Sequence, residues 1–242
     1  MMSLLSRIFR KGPAEKTQTW PNHSTWAALK NEESLQTEDG ERFLWTIRCG
    51  ELALPSGRLV ACDPFVFLQP QNNPFVSVPK GRFPVYVTFA DVSSAQDKSH
   101  VREAYASVVF TSEKEAYRKA VPLAKDGEDR PEPTGDEFIG FAVDAGTACF
   151  VDDSVVGPCM PDPQTWYEDL FENSNPDCWF QRMDDPAHIR AGIANIVLPL
   201  ARHGENLILF HSGWGDGVYP VVGSFDSTGH LVAAHIDFLV LK

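Results

Sequence analysis

Positive charge is scarce in this chain: 21 Lys and Arg stand against 33 Asp and Glu, a net of −12. Such a surface repels phosphate backbones, and no basic patch beyond the N-terminus relieves it, so nucleic-acid binding is not expected. Long apolar runs are missing too. No stretch approaches the ~20 apolar residues of a membrane span. The opening MMSLLSRIFRKG has bases but no signal-peptide core, so a cytoplasmic protein without membrane attachment is expected. Ser3 to Phe9 reads as a helical stub or frayed end. The five cysteines are odd in number and none is spaced CxxC, which argues against a zinc ribbon or a disulfide framework and for reduced thiols. There is no strand–helix–strand alternation and no GxGxxG after a strand. That removes dinucleotide-binding and P-loop folds, and no cofactor is expected.

Turns and aromatics are plentiful. The chain carries 18 prolines, 17 glycines and 11% aromatics, a composition that suits many short strands joined by turns. The expected fold is mostly β, at the margin of α+β: an antiparallel, sandwich-like core with a few short helices. Residues 1–40 read as a peripheral lead-in and 41–242 as a single β-rich domain. Phe43 to Leu54 and Arg58 to Cys62 read as a hairpin about the turn Pro55-Ser56-Gly57. Phe83 to Ala90 reads as a strand with Val85, Val87 and Phe89 on one face. Val101 to Phe110 begins ambiguously and ends strand-like. Ser112 to Ala120 reads as a short helix, with a serine cap and a glutamate three residues on. Pro163 to Asn173 is a second expected helix, and Ser174 to Arg190 is expected to be irregular. Ile193 to Pro199, Glu205 to Phe210, Val218 to Phe225 and His230 to Leu241 read as strands, the last two joined by the turn Asp226 to Gly229.

Four motifs in order, LALPSGRLVACDP (Leu52 to Pro64), VPKGRFPVYV (Val78 to Val87), FAVDAGTACFVD (Phe141 to Asp152) and SGWGDGVYPVVGSFDSTGHLVAAHIDFLV (Ser212 to Val240), resemble a bacterial family known as domain of unknown function 4241. The resemblance spans about residues 43 to 240. It implies a bacterial cytoplasmic protein and a shared fold, and no reaction.

The candidate site residues gather at strand ends and glycine turns. Gly213, Gly215 and Gly217 alternate with Trp214 and Asp216, a loop wound tightly enough to aim its amides inward or to let Asp216 accept them. Asp63, Asp144 and Asp216 either cap turns separately or, if they converge, hold a hard cation. His235 and Asp237 share one face of the last strand, where the carboxylate could orient the imidazole. His211 and Tyr219 flank the glycine loop. Ser212 lacks the glycine two positions earlier that a nucleophile elbow needs, since Phe210 stands there. Cys62 and Cys149 lie in apolar runs and read as buried, inert thiols.

Acidic residues are concentrated: six carboxylates and two bases from Lys125 to Glu137, nine carboxylates and one base from Asp152 to Asp185. They read as solvated loops or as a face for a cationic partner. The first functional expectation is therefore a non-enzymatic binding protein with a basic protein partner, an immunity-type protein neutralising a basic toxin being one form. The alternative is a metal-dependent hydrolase or small-ligand-binding enzyme that uses the strand-end aspartates and loop 213–217. A third, weaker reading is a subunit that pairs with its own copies through β edges.

Overall fold

In a computed structural model the described residues are 18–20, 25–130, 133–135 and 137–242, so the Ser3 to Phe9 stub and part of the charged loop lie outside them. The strands in chain order are β1 (Gln18–Thr19), β2 (Glu33–Thr37), β3 (Gly40–Leu54), β4 (Arg58–Cys62), β5 (Val76–Ser77), β6 (Gly81–Asp91), β7 (Val101–Val109) and β8 (Tyr117–Ala120). There follow β9 (Glu137–Phe138), β10 (Phe141–Val143), β11 (Thr147–Asp152), β12 (Ile193–Val197), β13 (Asn206–His211), β14 (Gly217–Tyr219), β15 (Val221–Phe225) and β16 (Leu231–Asp237). Helices α1 (Asp153–Cys159) and α2 (Trp179–Asp184) lie between β11 and β12. The fold is mostly β, as expected. No helix among the described residues is long and apolar enough to cross a membrane.

Two antiparallel sheets make the sandwich. The larger has the order β2-β3-β6-β7-β16-β15-β8, and the smaller β12-β13-β11-β4-β5. Strand alternation fixes what each face meets. Leu59, Ala61, Ala148, Phe150, Ile208 and Phe210 of the smaller sheet join Leu44, Val85, Val87, Phe89 and Ile236 of the larger in one central core. Val60, Cys62, Cys149, Val151, Leu207 and Leu209 point the other way, under Val155, Val156, Trp166, Phe171, Trp179 and Met183 of the helical insertion. The outer face of the larger sheet is covered by Trp20 and Phe138, with Trp26 packed against them.

Several local expectations are corrected. β3 and β4 are not a hairpin. β3 pairs with β6 and β4 with β11, so the turn at 55–57 carries the chain from one sheet to the other. Ser112 to Ala120 is not a helix: after a loop, Tyr117–Ala120 pairs with β15. Glu115, the expected capping-box acid, binds Arg118 Nε at 3.1 Å and accepts from Ser224 Oγ, while Tyr117 stacks on Phe225. A free sheet edge outweighed helix propensity there. The segment 163–173 is a 3₁₀ turn (Pro163–Thr165) and a π turn (Tyr167–Phe171), and 174–190 contains α2. Val218 to Phe225 is split at Pro220, whose missing N–H ends one ladder before the other begins.

Candidate functional site

The glycine loop lies where the ends of β11, β13 and β7 meet. Gly213 adopts φ 60°, and a Cβ on it would stand 2.9 Å from Phe238 Cβ and 3.0 Å from the Glu103 carbonyl oxygen, so no other residue fits. Inside the loop the Gly215 N–H donates to the Ser212 carbonyl at 3.0 Å. The Tyr219 hydroxyl lies 2.9 Å from that carbonyl and 2.7 Å from that of Gly215. Asp216 does not close its own loop. It accepts the Gly146 N–H at 3.0 Å, and Ser212 N donates to Gly146 O at 3.1 Å, which stitches the loop to the turn Asp144 to Thr147.

Asp63 holds the same turn from the other side. Its Oδ2 accepts from Asp144 N at 3.0 Å and Ala145 N at 2.6 Å, and its Oδ1 from Phe65 N at 3.0 Å. Burial pushes its carboxyl up, and the four backbone N–H groups that bind it, Val66 included, pull it back. Asp63, Asp144 and Asp216 therefore do gather about one turn, but the Asp63 and Asp216 carboxylates are engaged by backbone donors and the Asp144 side chain is exposed. No group of three His, Cys, Asp or Glu side chains among the described residues could hold a metal ion. The Asp63 and Asp216 carboxylates thus serve as caps of backbone N–H groups, the other role the sequence offered them.

Beside the loop opens a cleft of about 390 Å³. Its polar lining comes from Arg102 and Glu103 of β7, Asp184 of α2 and His211 of β13; Phe180, Met183 and Trp214 supply apolar walls. A bulge aims the β7 pair. Thr88 pairs with Tyr105 but Phe89 with Glu103, so Ala104 is the extra residue, and its carbonyl accepts Phe238 N at 3.0 Å. Glu103 is 8% exposed, and burial raises its carboxyl to about 7 despite the partial relief from Arg190 and Arg102. Among the described residues neither arginine comes within ion-pair distance of it. The Arg190 guanidinium sits 4.2 Å over Phe89 and that of Arg102 5.2 Å over Trp214. Trp214 is 54% exposed and also meets His100 edge-on at 5.9 Å.

His211 keeps part of its surface exposed, and the desolvation of the rest lowers its pKa, with Asp184 opposing and Arg102 assisting. Gly192 lets the imidazole and Glu103 approach: a Cβ there would stand 2.7 Å from His211 Nδ1 and 3.2 Å from Glu103 Oε1.

The other expected pair lies elsewhere. His235 and Asp237 face the outer side of the larger sheet, under Trp20 and Trp26. They share a face but not a hydrogen bond. His235 Nδ1 lies 2.8 Å from Ser107 Oγ and Nε2 3.0 Å from Ser224 Oγ. Asp237 accepts from Trp20 Nε1 at 2.9 Å. Burial drives His235 down to about 3 and Asp237 up to about 6. The pair is thus part of a closed polar layer. Of the expected residues, His211 and Trp214 line the cleft, Asp63, Asp216 and Tyr219 brace the turn and loop beside it, Asp144 belongs to that turn, and His235 and Asp237 stand apart. Arg102, Glu103, Asp184 and Arg190 were not anticipated. The adjacent Arg102-Glu103 pair in an otherwise apolar strand was the one available signal.

The chain belongs to the family described as "Protein of unknown function (DUF4241)", whose family model matches residues 52–236. No curated protein and no solved structure matches it.

Proposed function

Starting from a family that carries no assigned activity, we propose that the chain is a cytoplasmic binding protein that captures a basic protein partner on the helical insertion and the adjoining cleft. The observation that carries this reading is continuity. Helix α2 lends Phe180, Met183 and Asp184 to the cleft, while the insertion it belongs to exposes Asp162, Glu168, Asp169, Glu172 and Asp177. The one base of that stretch, Arg182, lies 3.8 Å from Asp177. Asp152 and Asp153 are buried and structural: the first accepts from Ser56 and Ser154, the second from Asn73. The remaining carboxylates face solvent, where they raise the encounter rate with a cationic surface and set its orientation. Five unpaired thiols suit a reducing compartment. An immunity-type protein that blocks a basic toxin is one form of this function.

The test is a titration with a lysine- and arginine-rich peptide at low and high salt, against an acidic peptide of equal length. Saturable binding of the basic peptide that weakens with salt is expected. Equal binding of both peptides would end the reading.

A second reading, an acid–base enzyme, draws on one observation. A carboxyl raised to about 7 and a histidine pulled below its ordinary value flank the same glycine, and groups shifted toward neutrality serve as proton donor and acceptor. A bell-shaped pH profile of turnover that disappears in Glu103→Gln is its signature.

A further inference from the structure

We propose that the cleft is an anchor pocket for a single cationic side chain, lysine or arginine, with the Glu103 carboxylate as its floor. The inference rests on the partner-capture reading and deepens it. Glu103 is 8% exposed, and its carboxyl accepts only from its own backbone N–H. The cations that act on it are both turned onto aromatic rings. Arg102 covers Trp214 and donates through Nη1 to the Val101 carbonyl at 3.0 Å, and Arg190 covers Phe89. The groups facing Glu103 are thus Arg190, Arg102 and His211, with Asp184 at the rim. None of them donates a hydrogen bond to it.

A buried carboxylate whose one donor is its own backbone N–H is under-satisfied, and an entering ammonium or guanidinium supplies a charge in contact and further N–H groups. The walls fit the rest of such a side chain. Phe180 and Met183 offer apolar surface to a methylene stem, as lysine and arginine stems require. A volume of about 390 Å³ lies at the small end of ligand pockets and suits one long side chain with a few waters. Asp184 at the mouth draws the cation in.

The experiment uses the full chain and three probes, N-acetyl-arginine amide, N-acetyl-lysine amide and the neutral N-acetyl-methionine amide. Binding is read from the backbone amide shifts of Gly213, Gly215 and Asp184 at pH 6 and pH 8. The cationic probes are expected to saturate these shifts and to bind more tightly at pH 8, where Glu103 is ionised. Glu103→Gln is expected to weaken them about tenfold and to remove the pH dependence. Asp184→Asn, on the exposed rim, is expected to weaken them less and to keep that dependence. Cationic probes that bind no better than the methionine amide, or that bind Glu103→Gln as well as wild type, would overturn the proposal. The two readings fail separately. Loss of peptide capture on charge reversal of the insertion, with probe binding indifferent to Glu103, refutes the anchor alone. Probe binding that needs Glu103, with capture indifferent to the insertion, refutes the acidic-face reading alone.

Discussion

The carboxylate of Asp63 accepts the backbone N–H of Ala145 at 2.6 Å across 82 positions of chain. Through that bond the end of β4 fixes the turn on which the glycine loop rests. Asp63→Ala leaves the N–H groups of Phe65, Asp144 and Ala145 without their acceptor in a buried site, which is expected to destabilise the fold by about 3 kcal/mol or more. Asp63→Asn keeps part of the set and is expected to lose less. Denaturant midpoints measure both, and amide exchange at Asp144 and Ala145 should accelerate before global unfolding.

Glu103 carries a stability penalty at neutral pH. Its folded pKa of about 7 lies above the ordinary 4.5, so between those values the native state binds more protons than the unfolded chain, and stability falls as pH rises. The full difference is roughly 3 kcal/mol. Glu103→Gln should therefore be more stable than wild type at pH 8, by about 1 to 3 kcal/mol, and equal to it near pH 4. A glutamine variant less stable at pH 8 would show that the ionised carboxylate has a partner.

His235 gives the opposite slope. Its folded pKa of about 3 lies below its ordinary 6.5, so the unfolded chain takes up the proton first and stability falls as pH drops through that interval. His235→Gln is expected to destabilise at pH 7 by about 1 to 3 kcal/mol, because one serine hydroxyl loses its partner. Below pH 6 its stability should fall less steeply with acid than that of wild type. Urea titrations at pH 7, 6, 5 and 4 give the comparison.

Metal ions should leave the fold unmoved. The Asp63 and Asp216 carboxylates already accept backbone N–H groups. Unfolding midpoints with EDTA and with Mg²⁺, Ca²⁺, Mn²⁺ or Zn²⁺ are expected to coincide. A bound ion at a hundred times its dissociation constant would add about 2.7 kcal/mol. Such a shift, lost in Asp216→Asn, would restore the metal-site reading.

What the sequence disclosed follows from the range of the forces involved. The alternation of Val85, Val87 and Phe89 was legible because burial on one face imposes a period of two on the strand itself. The turn at 55–57 was legible as a turn, since Pro55 and Gly57 act locally, but not as a crossover between sheets, since the end of β3 that enters it pairs with β6, beyond residue 80. Tyr117–Ala120 was misread because a strand edge completed by β15 decides it, and that edge is not a local property. Half of the cleft was legible through His211, Trp214 and the glycines. Glu103 was not, because the bulge at Ala104 that aims it is set by the register of β6 against β7.

Capture on the insertion, as proposed, differs from attraction to an acidic protein at large in its response to where negative charge is removed. The most direct test compares two variants of equal net charge by calorimetric titration with the lysine- and arginine-rich peptide. One carries Glu168→Lys, Asp169→Lys and Asp177→Lys on the insertion. The other carries Glu38→Lys, Asp39→Lys and Glu41→Lys, exposed residues at the β2–β3 end of the other sheet. Binding lost in the first and kept in the second is the predicted result. Equal loss in both would contradict it, since affinity would then follow total charge alone.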